Sequence, residues 1–581
     1  MRRTRAVARL GAVAAIVAAV ALASSGCTVI QVSGPYAVDD EGSGDPLTKP
    51  FQRMIAIGPQ PEWGPEETLR GLQAAMAAYA EDPSVLQKYL TPQARQKWNA
   101  AGPVPVIENA FEVVLPPPRD GSETSIRATL KGRWVARINE DDSYRPTAGG
   151  WDEPYELVKN PHGGYLVNSL PPGLLLTDAD VKRAYRPTNL YFLNRNAQNR
   201  PVVDRVWLRL KTTETFAQTV LKRLLEPPTE ALRGAVASGF PDDTKIESIV
   251  SGEESVVINL SGSLDFDDLS TEAALRTQIR NSLNRNEIAK GRVIEIHVDG
   301  AKYSIDRPAS DDNWLDEGGD TPYYISKGAV HYLGKDGPGG AVAGAAGEPR
   351  DGYSDFAVSP GATPYIAAKT STGISVVGVT QDARWQEVIH GAGLTAPTWH
   401  LDGSLWTYDT KNSVLLRYDP AAKKNAEVVK SPELDGLDVT RLRIARDGVR
   451  VAVITGTGEN TVQIGALTGE GAGRTLGNFQ ALTTTEVGDE IIDIAWRDDE
   501  RLLVLVEGRA GQILNEINVG DGQTTTVPLK NLLKSVAALG ERVLAEAKVD
   551  KGTKIMELNQ DQQNWTPKIE SDAGPPMFPL G

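Results

Sequence analysis

The side chains able to do chemistry are few. Five histidines, His162, His297, His331, His390 and His400, are scattered over the chain, with no H-E-x-x-H and no pair at ligand spacing. A zinc site needs ligands at short, fixed separations, so none is read from them. His297 alternates with Glu295 along a strand and His400 stands in a turn, and both are expected to be solvated. Glu140, Asp141 and Asp142 end a strand. They could hold a divalent cation, but acids clustered at a turn are expected to face water. Asp265-Phe266-Asp267-Asp268 lacks the glycine and distal Glu of a calcium loop and reads as acids at a helix start. Gly337 to Gly347 fits neither the dinucleotide nor the Walker spacing and reads as a flexible loop. There is no G-x-S-x-G nucleophile signature. No catalytic, cofactor-binding or metal-binding residue is assigned.

Cys27 is the only cysteine in 581 residues. It follows Arg2, Arg3, Arg5 and Arg9 and an uncharged apolar run from Gly11 to Ala23, which together read as an export signal over residues 1–26. The run is shorter than the roughly 18–20 residues of a membrane span. A lone cysteine in an exported chain has no disulfide partner, so its position needs another reason. Ala23-Ser24-Ser25-Gly26-Cys27 resembles a bacterial lipobox, with Ser24 where Leu, Val or Ile is common. The resemblance implies lipidation of Cys27 and cleavage before it. Several acyl chains, at about 0.8 kcal/mol per CH₂, would hold the protein at the membrane.

The formal net charge is −15, and loss of residues 1–26 removes only arginines, making the chain more acidic still. Such a surface is repelled by nucleic acid and anionic headgroups. Any membrane association is therefore expected to run through the lipid.

The elements fall into distinct stretches. Residues 27–50, with Asp39-Asp40-Glu41-Gly42-Ser43-Gly44-Asp45-Pro46, read as a flexible tether. Residues 51–185 open with a helix that starts at Pro65 and carries Leu69, Leu72, Met76 and Tyr79 on one stripe. A short helix follows from Pro92 to near Trp98. The period then changes to two, with Ile126, Ala128 and Leu130 in one strand, Trp134, Ala136 and Ile138 in the next, and further strands near 155–158 and 165–167. Helices followed by a meander give an α+β domain whose order resembles the nuclear-transport-factor-type cone.

Residues 186–310 read as strands at 189–194 and 206–210, then a helix capped by Thr212 or Thr213, carrying Phe216, Val220 and Leu224 inward and stopped by Pro227 and Pro228. After Gly239 to Ile246 come a strand at 256–260, a helix with Leu275, Ile279 and Leu283, and a strand from Arg292 to Val298 closed by Asp299-Gly300. These segments, in this order, resemble the GerMN domain, an α+β extracytoplasmic binding module. From 320 to 581 a strand, polar turn, strand unit recurs at Phe356 to Gly361, Thr398 to Trp406, Leu442 to Gly448 and Ile494 to Asp499. Weaker copies lie at Lys327 to Tyr332 and Ala538 to Val543. The period of roughly 40–50 residues is that of an all-β propeller, with five or six blades expected. Trp385, Trp399, Trp406 and Trp496 are expected in the blade cores.

Signal, lipobox, tether, NTF2-like α+β domain, GerMN domain and propeller, in that order, resemble the LpqB family of actinomycete lipoproteins. The resemblance implies a membrane-anchored, extracytoplasmic, non-catalytic accessory protein. Its implied partner is the extracellular domain of a sensor histidine kinase of MtrB type, in cell division and envelope homeostasis. The alternatives are a wall-polymer-binding protein or a propeller-type envelope hydrolase. The hydrolase would need carboxylates converging in the central channel.

Overall fold

The computed structural model describes residues 36–37, 54–117, 124–210, 215–262, 269–303, 319–422, 424–456 and 459–580. Cys27, the run before it and Asp265 to Asp268 lie outside them. Within the stretch read as a tether, Tyr36–Ala37 pairs antiparallel with Met54–Ile55, so main-chain hydrogen bonds hold this part of it.

The first domain packs helices Pro65–Ala77, Pro83–Tyr89 and Pro92–Lys97 against a seven-stranded sheet. Each helix opens on a proline, whose missing N–H is no loss in a first turn. Asp82 and Thr91 cap the second and third by accepting the N–H groups of Ser84 and Ala94. Leu69, Leu72 and Met76 are buried, as expected. The two strands expected at 126–130 and 134–138 are one, Ser125–Ile138. Its buried residues Ala128, Leu130, Ala136 and Ile138 are all even-numbered, so the alternation keeps its phase and nothing between them asks for a turn.

The second domain begins with a hairpin of Tyr185–Asn194 and Ala197–Arg209, the latter starting well before the expected strand at 206. The following helix, Phe216–Leu225, is capped by Thr215 rather than Thr212 or Thr213. Thr215 Oγ1 accepts the Gln218 N–H at 3.3 Å, and Gln218 Oε1 accepts the Thr215 N–H at 2.8 Å. This reciprocal capping box satisfies two amide groups where a lone threonine satisfies one. Strands Ser255–Ser261 and Val293–Val298 run parallel, joined by helix Leu269–Arg285. Lys245–Ser251 and Ala301–Lys302 flank them. Phe216, Val220, Leu224, Leu275, Ile279 and Leu283 share one core.

Six four-stranded antiparallel sheets form the propeller. Blade 1 combines residues 323–341 with Pro576–Met577; blades 2 to 6 run over 354–390, 398–429, 439–484, 490–527 and 533–569. In blades 2 to 6 the first strand lies innermost; in blade 1 that place is taken by the C-terminal strand, paired to Tyr323–Ser326. The copy at Ala538 to Val543 is a true first-to-second-strand turn. The copy at Lys327 is not, because it joins the second and third strands of blade 1 at the opposite end of the blade. With its first strand supplied by the C-terminus, blade 1 has no equivalent turn. The glycine-rich segment is also ordered: Gly337–Ala341 is the outer strand of blade 1, since ladder hydrogen bonds need no side chains. Trp399, Trp406 and Trp496 are buried and Trp385 half-buried. Trp399 and Trp496 donate their indole N–H groups to Ala357 and Arg443 carbonyls, at 3.2 and 3.1 Å, on the innermost strand of the preceding blade.

Candidate functional site

Blades 4 and 5 carry the same five-residue turn, Arg446-Asp447-Gly448-Val449-Arg450 and Arg497-Asp498-Asp499-Glu500-Arg501. Asp447 Oδ1 accepts the N–H groups of Val449 and Arg450 at 2.7 and 2.9 Å, and its Oδ2 lies 2.8 Å from Arg450 Nη1. Asp498 does the same with Glu500 and Arg501, at 2.9 and 2.8 Å, and its Oδ2 accepts from Arg501 Nε at 2.6 Å. A carboxylate so engaged fixes the turn and aims the residues around it.

Both turns lie at one end of the blades and face the hairpin of the second domain. Arg450 donates to the Val203 carbonyl. Asn194 Nδ2 donates to the Asp447 carbonyl at 2.8 Å, and Asn189 Nδ2 to both Glu500 carboxylate oxygens at 2.8 and 2.9 Å. The loop between the last two strands of blade 5 brings in Asp521, which accepts from Arg205 Nε at 2.5 Å and Trp207 Nε1 at 3.1 Å. Val449 and Ala466 belong to the apolar core of the second domain. The two cores are therefore continuous, and separating them would expose apolar surface.

The first domain joins at the same place. Tyr144 stacks on Trp207 with ring centroids 4.4 Å apart. The Trp207 N–H donates to the Asp142 carbonyl at 2.9 Å, and Asp142 Oδ2 lies 2.9 Å from Arg223 Nε. Arg223 Nη2 donates to the Asp141 carbonyl, and Asp141 Oδ2 accepts the Glu230 N–H, both at 2.9 Å. Asp141 and Asp142 are thus neither a cation site nor a solvated turn. They clamp the first domain to the second, with Asp142 held at a φ of 62°.

The charges are unevenly compensated. Burial lowers the Arg145 guanidinium, although Asp141 and Asp204 oppose this. Burial raises the Asp204 carboxyl against the Thr229 N–H and hydroxyl and the charges of Arg450 and Arg223. Asp499 is raised well above the usual range by burial and by Glu500, Asp498 and Asp447 beside it. Burial also raises Glu500, with Arg205 partly offsetting it. Arg145, Asp204 and Arg450, one from each domain, line a cavity of about 30 Å³, which has room for a single water.

His400 corrects another expectation, because it is buried. Nε2 lies 2.9 Å from the Gly448 carbonyl, and Nδ1 lies 3.1 Å from the Asp402 N–H nitrogen and 2.8 Å from its Oδ1. Burial would raise the Asp402 carboxyl, but His400 and the hydroxyl and N–H of Ser404 hold it far below its usual range. His400 thus links the turns of blades 3 and 4. His297 is half-buried, its Nε2 3.7 Å from Glu295, which also pairs with Lys302 at 2.9 Å.

Residues 58–182 match the family described as "Lipoprotein LpqB, N-terminal domain", 189–304 match "Sporulation and spore germination", and 335–579 match "Lipoprotein LpqB beta-propeller domain". The chain belongs to the LpqB family. "Lipoprotein LpqB" of Thermobifida fusca is 25% identical, covering 98% of this chain and 99% of that one. The LpqB of Streptomyces avermitilis is 24% identical over 95% and 97%, and that of Mycolicibacterium smegmatis 24% over 94% and 95%. Among solved structures, TolB from Acinetobacter baumannii aligns with a TM-score of 0.35 at 13% identity, over 48% of this chain and 74% of that one.

The LpqB relatives are named as lipoproteins, not as enzymes. No helix among the described residues is long and apolar enough to cross a membrane. In the propeller channel Asp493 is bound to Arg441 Nη1 at 2.6 Å and to the N–H groups of Ile494 and Val536. So occupied, it is not poised as an acid or a nucleophile. Trp207, Arg205 and Asp521, which fasten the junction, lie outside the R-D-x-x-R turns of blades 4 and 5 and were not singled out by any local sequence pattern.

Proposed function

We propose that this chain is anchored to the outer face of the cell membrane through a lipidated Cys27. There it acts as a non-catalytic regulator of a two-component sensor histidine kinase of MtrB type, by binding the kinase's extracellular domain. The observation that supports this reading is the junction, where Trp207, Arg205, Arg450, Asp142 and Arg223 fasten three domains together. A contact made by one domain is then shared by all three. The two domains nearest the anchor, residues 51–310, are the ones a short kinase sensor domain would meet. Anchoring both partners in one bilayer raises the local concentration to about the millimolar range, so a weak contact suffices. The test reconstitutes the kinase in liposomes and measures autophosphorylation alone, with the lipidated full chain, and with Cys27→Ala. The lipidated chain is expected to change the rate and the unlipidated one to change it far less at equal concentration. Rates identical to the kinase alone in both cases would reject the reading.

A further inference from the structure

The docked turns cover blades 4 and 5 at one end of the propeller. The other end, where first strands begin and second strands finish, is open. A cavity of about 430 Å³ lies there between blades 2, 3 and 4, walled by Asp355, Lys369, Thr410, Asp438, Thr440 and Arg441 among others. Arg441 and Arg443 stand on one face of the innermost strand of blade 4, while Leu442 and Ile444 are buried in the blade core on the other. Arg441 has its counter-ion, Asp493, at 2.6 Å. Arg443 has no carboxylate within ion-pair distance among the described residues. Its Nη1 meets only the carbonyls of Pro397 and Leu442, at 3.4 and 3.5 Å. Pro397 follows Ala396 of the cavity wall, so this guanidinium lies beside the wall, next along the strand face from Arg441, which lines it. Burial, with Arg441 beside it, pushes Arg443 down to about 10, against the attraction of Asp493 and Asp355.

Arg443 is half-buried, a cation there is incompletely hydrated unless something pairs with it, and a guanidinium's planar fork fits an oxyanion. We propose that the open end of the propeller is a binding site for an oxyanion, a carboxylate or a phosphate group. Arg443 is its counter-charge, and Lys369 and the Thr440 hydroxyl are further donors on the wall. Asp355 and Asp438 on the same wall limit the site to one negative group and favour a ligand with a donor beside it. The inference stands apart from the kinase reading, since it concerns the end of the molecule away from the domain junction.

The test uses the full chain in detergent, titrated with inorganic phosphate, with N-acetyl-alanyl-alanine, and with the amide of that dipeptide. Calorimetry and thermal unfolding are the readouts. The acid dipeptide, phosphate or both are expected to bind and raise Tm, and the amide to do neither; which of the two anions binds tells a peptide terminus from a phosphate source. Arg443→Gln is expected to raise Tm without probe, because it removes a half-buried charge that has no counter-ion, and to weaken the anion at least tenfold. Arg443→Lys should retain part of the binding. A purely structural arginine would behave oppositely, with Arg443→Gln lowering Tm and leaving the titrations unchanged. That result, or a wild-type chain that does not distinguish acid from amide and ignores phosphate, overturns the proposal. The acid and amide arms decide even if Arg443→Gln does not fold.

Discussion

Trp207 touches all three domains. It lies in the second, stacks on Tyr144 of the first and donates to Asp521 of the propeller, whose side chain is fully buried. A hydrogen bond to a buried charged group contributes about 1.5–3 kcal/mol. Trp207→Phe keeps an aromatic ring against Tyr144 but removes the indole donor and part of the buried ring, so it should cost at least about that much. Arg205 remains as the partner of Asp521, so the chain should still fold. Denaturant unfolding of the full chain should show the loss, and a cost below about 0.5 kcal/mol would mean that Arg205 alone satisfies Asp521. Such a role was not legible in the residues around position 207, where Val206, Trp207 and Leu208 read as an ordinary buried strand. Trp207 is indeed buried, and only the packing of three separate segments shows what surrounds it.

At the scale of elements, the propeller is closed by its last few residues. Pro576–Met577 completes blade 1, the Leu580 N–H donates to the Val358 carbonyl at 3.1 Å, and Phe578 is fully buried with Tyr324, Leu539 and Leu544 from blades 1 and 6. A blade that shares strands from both ends of the propeller segment ties folding of the first blade to arrival of the last. Phe578→Ala should therefore cost about 3–5 kcal/mol, as for a large buried aromatic. It should also broaden the thermal transition as blades 1 and 6 part. A loss under 1 kcal/mol with an unchanged transition would show that the ring closes without this strand. The repeat was legible in the sequence because each blade must alternate its own strands about a polar turn. The closure was not, since the pairing of residue 323 with 577 leaves no local pattern.

For the whole molecule, the acids at the junction predict how the domains hold together as pH changes. Asp204, Asp499 and Glu500 have raised carboxyls. A folded pKa above the unfolded one means that the folded state holds protons longer. The contribution is full below the ordinary carboxylate range near 4 and is lost as pH rises through the raised values. Asp402 and Asp141 are lowered and act the other way, giving stability that is present at neutral pH and lost only in strong acid. The junction should therefore weaken between about pH 4 and neutrality. Asp499→Asn should raise stability at pH 7.5, because it removes a buried carboxyl whose charge Glu500, Asp498 and Asp447 oppose, and flatten the pH dependence. Unfolding measured at pH 5 and pH 7.5 checks both; a variant less stable than wild type at pH 7.5 would show that the Asp499 charge is paired.

Much followed from the sequence alone: the order of domains, the blade repeat, the inward faces of the helices at Leu69, Phe216 and Leu275, and the aromatic blade cores. These follow from local rules, periodicity, caps and turns, that act within a few residues. The capping box at Thr215 and the unbroken phase from Ile126 to Ile138 were also present in the sequence, as the residue three beyond a threonine and as a parity of positions. Tertiary structure alone decided the fate of the polar residues. Asp142, His400, Asp447 and Asp499 have the composition of solvated turns, yet each lies where surfaces distant in the chain meet. A side chain's partners depend on which surfaces fold together, and burial can turn an ordinary turn acid into a clamp.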